Sequence, residues 1–150
     1  MTILDAFFDD VIEEIPVKPP VAILKELSLG LEKRTAGLLV GEVFQDNLDS
    51  KFHLRFYIKA PSLNNYRYNV FEIEHDLSFY PLRIKATDDD IFKSTPNALS
   101  DFDGFGGSKE YRCVNIKNQQ ELEEILKTIF SSSQVKRVIN GLLAQIKSTN

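Results

Sequence analysis

Asp101-Phe102-Asp103-Gly104 has the spacing of the middle of a calcium loop, and Glu110 falls where a bidentate carboxylate would close it. Such a loop converges hard oxygen ligands on the ion around a sharp glycine turn. Leu99 occupies the first ligand position, Gly106 stands where an apolar residue belongs, and no helical pattern leads in. The stretch reads as an acidic turn. Gly104-Phe105-Gly106-Gly107-Ser108 could cradle a phosphate through successive N–H groups. Phosphate loops lead from a strand into a helix N-terminus, whereas this one leads into strand-like sequence, so a hinge is the better reading. Asp88-Asp89-Asp90 could gather a divalent ion, but three adjacent acids cannot all point inward on a regular element.

His53 and His75 are the only histidines and Cys113 the only cysteine. Under an ordinary hairpin register the two histidines are expected toward different ends of their strands. Cys113 sits in an apolar alternation with no histidine nearby, the setting of a buried, inert thiol. No G-x-S-x-G, H-E-x-x-H or Walker pattern occurs. The expectation is therefore no catalytic residue, no metal and no cofactor.

Arg55, Arg67 and Arg83 fall on three consecutive strand-like segments, with Tyr57 and Tyr68 nearby. Arg55, Tyr57, Arg67 and Arg83 could contact an anionic ligand, or stack and track single-stranded nucleic acid. The plainer reading, and the preferred one, is cross-strand pairing with Glu42, Glu72 and Glu74.

Charge is uneven around a net of −4. Residues 1–50 carry ten acids against Lys18, Lys25, Lys33 and Arg34. Residues 51–85 carry Lys51, Arg55, Lys59, Arg67, Arg83 and Lys85 against Glu72, Glu74 and Asp76. Asp9, Asp10, Glu13, Asp88, Asp89 and Asp90 are the candidate partner-binding acids, placed to steer a basic protein. The expected function is a non-enzymatic cytoplasmic binding module for a macromolecular partner. By analogy with small acidic α+β proteins of bacteria, an adaptor or an immunity protein against a basic toxin is its expected form. The alternative is an anion-binding protein or enzyme using the sheet's basic-aromatic face under the 87–108 loop; nucleic-acid binding ranks third. Exposed Tyr and Phe on the sheet could equally form a homodimer seam.

These residues need elements to hold them. Ile3, Phe7, Phe8, Val11, Ile12 and Ile15 recur at helical spacing, predicting a helix over Asp5–Ile15 that Pro16 ends. PVKPP is a stiff connector, and Pro20 can start a second helix running to about Arg34. Strands are expected at Gly37–Phe44, Phe52–Lys59, Tyr66–His75 and Tyr80–Ala86, with a possible fifth at Lys109–Ile116. QDNLDS is read as the first loop and 87–108 as a long irregular one. Mixed apolarity in the third strand predicts a bulge near Val70-Phe71 or cover on both faces. Asn118 and Glu121 form a capping box for a helix to about Phe130, and Ser131-Ser132-Ser133 caps a last helix. The fold class is α+β: an antiparallel meander of four to five strands packed by two N-terminal and two C-terminal helices.

A chain of 150 residues is expected to form a single domain over 1–150, large enough to dispense with disulfides or metal. One cysteine favours a reducing compartment, and the acidic N-terminus is unlike a signal peptide. Apolar runs stay far below about 18 residues, so no membrane span is expected.

Overall fold

The structure is a computed structural model that describes residues 6, 8–87, 98–101 and 111–149. Helix α1 is Pro20–Arg34, with Pro20 in its first turn, where a missing N–H costs nothing. Ala36 and Gly37 leave it with positive φ (51° and 82°), a conformation that cannot pair in a ladder. Strand β1 therefore begins later than expected and spans Val40–Leu48, followed by β2 (Lys51–Ala60), β3 (Tyr66–His75) and β4 (Leu82–Ala86). The ladder of β4 opens after Pro81, which has no N–H to give it. Then come β5 (Ala98–Asp101), β6 (Tyr111–Ile116), α2 (Gln119–Phe130) and α3 (Ser133–Thr149).

The class is α+β, as the sequence implies. The sheet is antiparallel throughout, in the order β1-β2-β3-β4-β6-β5. Its first four strands form the meander. The strand expected near Lys109–Ile116 becomes β6, and β5, inside the stretch read as an irregular loop, pairs on β6 from outside.

One layer of helices covers one face of the sheet. Leu54, Phe56 and Ile58 of β2, Phe71 and Ile73 of β3, Leu82 and Ile84 of β4, and Val114 and Ile116 of β6 join one core with Leu24, Leu122, Ile129, Val135 and Ile146. The rings of Phe56 and Phe71 stack, and Phe130 at the end of α2 stands edge-on to both. The predicted N-cap forms, with Asn118 accepting from the Glu121 N–H at 2.9 Å, but the reciprocal half of the box shifts by one residue: Glu121 accepts from the Lys117 N–H at 3.0 Å rather than from that of Asn118.

The predicted bulge is at Val70. Phe56 pairs with Phe71 but Tyr57 pairs with Asn69, leaving Val70 as the extra residue. This resolves the mixed pattern of β3, because side chains on either side of Val70 return to the correct faces.

The helix expected over Asp5–Ile15 is corrected across residues 8–15, while Ala6 is helical. Residues 8–11 form a turn, residues 12–15 have no regular structure, and the Val11 and Ile12 N–H groups both reach the Phe8 carbonyl. Among the described residues, one helix precedes the sheet and two follow it. The reason is packing. Val11, Ile12 and Ile15 are 62%, 74% and 62% exposed, and a short helix is marginal without a surface on which to bury its stripe. The first loop is also shorter than expected. QDNLDS contributes four residues to β1, and only Asp49 and Ser50 turn the chain. No helix among the described residues is long and apolar enough to cross a membrane.

Candidate functional site

The face of the sheet away from the helices is a lattice of charges. Alternation sends His53, Arg55, Tyr57 and Lys59 of β2 to this face, with Glu42, Phe44 and Asp46 of β1, Arg67, Glu72 and Glu74 of β3, and Arg83 and Lys85 of β4. Register then decides the neighbours. Arg55 lies opposite Glu72, which lies opposite Lys85, and Glu74 lies opposite both His53 and Arg83.

The three glutamates are the hubs. Glu42 takes Arg67 at 2.5 Å and Lys59 at 3.4 Å. Glu72 has Lys85 at 3.1 Å and Arg55 at 3.7 Å, and Arg55 also meets Asp46 at 2.7 Å. Glu74, only 9% exposed, has Lys51 at 3.3 Å with His53 and Arg83 at 3.7 Å. The preferred sequence reading thus matches the geometry: the arginines pair with the three glutamates named for them. Such pairs are each worth little where exposed, so their joint effect is register more than stability.

Arg55 and Tyr57 stand two residues apart on β2, and Tyr57 meets the Phe44 ring edge-on with centroids 5.4 Å apart. Arg67 is near them through Glu42. Arg83 is not: it pairs with Glu74, seven residues along β3 from Arg67, roughly 20 Å at the rise of a strand. A cleft of about 200 Å³ lies at that end, lined in part by Lys51, Glu74, Arg83 and Asn115. One basic-aromatic patch holding all four predicted residues therefore does not form.

The histidines correct another expectation. Phe52 pairs with His75 and His53 with Glu74, so both histidines sit at the same end of the sheet, on opposite faces. His75 is buried, stacked on Phe52, with Nδ1 2.7 Å from the Asp76 carbonyl. Cys113 is buried as expected, and burial pushes its thiol pKa up. No group of three His, Cys, Asp or Glu side chains among the described residues could hold a metal.

Asp9, Asp10 and Glu13 are exposed on the segment before α1. Asp88, Asp89 and Asp90 lie outside the described residues, as do most of the 87–108 loop and the calcium-like and glycine-rich stretches within 102–110. Sequence reasoning passed over Phe44 and Asp46. The usable signal was that Glu42, Phe44, Asp46 and Leu48 share one period of two running into the supposed loop.

The Arg67 hydrogen bond holds the Glu42 carboxyl below its ordinary 4.5, against a smaller upward push from burial. A carboxyl depressed in the folded state contributes stability that is present above its unfolded pKa and lost as pH falls through the folded one. Melting temperature should therefore drop more steeply on acidification below 4.5 in the wild type than in Glu42→Gln. Thermal melts from neutral pH to about pH 3 check this, and equal slopes would refute it.

Comparison of the chain with protein-family models, with curated proteins and with solved structures finds no match.

Proposed function

We propose that this chain is a non-enzymatic binding module that takes a basic protein partner on the segment before α1. One observation carries the reading: residues 9–15 combine exposed acids with exposed apolar side chains that the chain's own core does not cover. Asp9, Asp10, Glu13 and Glu14 are exposed beside Val11, Ile12 and Ile15, and no base intervenes before Lys18. Acids steer a cationic surface into place, and apolar side chains supply the burial that holds it. A segment that can form a helix on docking would lay Val11, Ile12 and Ile15 into a partner's groove. Adaptor and immunity protein are the two forms such a role would take in a bacterial cytoplasm.

The test is capture from an extract of the source cells on wild-type protein and on Asp9→Lys/Asp10→Lys/Glu13→Lys, with recovered proteins identified by mass spectrometry. The wild type should hold a discrete basic protein. The triple variant should lose it, with association slowed about 10- to 1,000-fold and the melting temperature unchanged. Equal capture by both proteins, or capture of no discrete species, removes the reading.

Anion or nucleic-acid binding at Arg55, Tyr57, Arg67 and Arg83 ranks behind it. Each of those arginines already has a carboxylate within 4 Å, which an incoming anion would have to displace.

A further inference from the structure

Among the described residues, no strand pairs with the outer edge of β1. Asp49 and Ser50 both have positive φ (53° and 64°), the type I′ geometry in which the flanking residues, Leu48 and Lys51, form a hydrogen-bonded pair. Counting back from that pair, Asp46, Phe44 and Glu42 bond to β2, while Gly41, Val43, Gln45 and Asn47 aim their N–H and C=O groups away from the sheet. No backbone hydrogen bond among the described residues meets those groups. The strand runs for nine residues with no Pro, Lys or Arg, and its pairing with β2 carries no bulge. Proline, lysine and bulges are common devices that block strand addition, and β1 has none of them; its two charges, Glu42 and Asp46, are both paired within the chain. Phe44 and Leu48, on the charged face, are 46% and 61% exposed.

We propose that two copies of this chain pair through β1, antiparallel about a two-fold axis at Phe44, to join two six-stranded sheets into one. Register selects a second copy as the occupant. Centred on Phe44, the Val43 backbone bonds the partner's Gln45, and Gly41 bonds the partner's Asn47. Phe44 then meets its own counterpart at a non-hydrogen-bonded position, where side chains approach most closely. Val40 meets the partner's Leu48, so both exposed apolar side chains are covered.

Glu42 faces the partner's Asp46, but each carboxylate brings its own guanidinium. Arg67 and Lys59 sit 2.5 and 3.4 Å from Glu42 and Arg55 sits 2.7 Å from Asp46, so both carboxylates are already compensated within their own copies. A register shifted to centre on Gln45 would set Phe44 against the partner's Asp46 and Glu42 against the partner's Leu48. That places each apolar side chain on a carboxylate. This seam is separate from the acidic segment at residues 9–15 and does not depend on it.

The experiment is sedimentation equilibrium of the full chain up to roughly 1 mM, a range in which even weak strand pairing populates a dimer. Amide exchange by NMR accompanies it. Gln45→Pro removes one outward N–H and nothing from the β1–β2 ladder, and an edge strand tolerates proline at such a position. Phe44→Glu faces Arg55 within its own chain but sets carboxylate on carboxylate at the axis. The wild type should double in mass with concentration and gain protection at Val43 and Gln45. Both variants should keep the monomer mass with native circular dichroism. A wild type of constant mass overturns the proposal, as does a dimer that persists in both variants, which would place the seam elsewhere.

Discussion

Phe56→Ala should cost about 3–5 kcal/mol, a large share of the roughly 5–15 kcal/mol by which a domain is stable. Phe56 is fully buried, stacked on Phe71 at 5.2 Å and edge-on to Phe130 at 5.8 Å. Its ring joins β2, β3 and the end of α2, so truncation removes buried area and leaves a cavity that three elements cannot close together. The next side chains along β2, Arg55 and Tyr57, point to the charged face. Loss of the anchor should therefore also loosen the ion pairs at Glu42 and Glu72. Urea denaturation measures the effect as a lower midpoint at unchanged m. A loss below about 1 kcal/mol would show that the ring is not the anchor. Should Phe56→Ala fail to fold, Phe56→Leu keeps much of the volume and should show a smaller loss of the same sign.

Gly41→Val should be the next most damaging change. Gly41 lies on the helix side of β1, opposite Ile58. A Cβ there would fall 2.6 Å from Ser28 Oγ, 2.7 Å from Ser28 Cα and 2.8 Å from Phe56 Cζ. Overpacking costs typically about 1–3 kcal/mol, and the upper end applies where backbone must move. Even Gly41→Ala should lie in that range, and Gly41→Val above it. Ser28→Gly should not rescue either variant, since the Ser28 backbone remains in place. Thermal and urea unfolding of the single and double variants decide the matter. A Gly41→Ala protein as stable as the wild type would mean that α1 does not lie against β1 as described.

Much of this fold was legible in the chain because its signals are local. Pro20 marks the start of α1, and the Asn118–Glu121 cap marks the start of α2. Strict alternation from Phe52 to Lys59 sorts β2 into a buried and a charged face. The pattern break in β3 located the bulge at Val70. Even Glu42, Glu72 and Glu74 could be named as partners of the arginines, because charges on one face of neighbouring strands have few alternatives.

What failed was whatever depends on a second surface. Phe8 to Ile15 has helical periodicity, but periodicity says only which side chains would be buried together, not whether anything stands ready to bury them. QDNLDS reads as a loop because it is polar, yet an outer hairpin arm needs no burial to pair with its neighbour. That His53 and His75 meet at one end of the sheet follows from the β2–β3 register, which the turn at residues 61–65 and the bulge at Val70 set away from either residue.

The sequence alone determined that this chain builds a sheet with one oily and one charged side, because a period of two is written into consecutive residues. Only the tertiary structure decided that β1 lies outermost, that Gly41 gives way to α1, and that Arg83 stands apart from Arg67. Those are relations between segments, and strand order and pairing offset, not composition, set the distances across them.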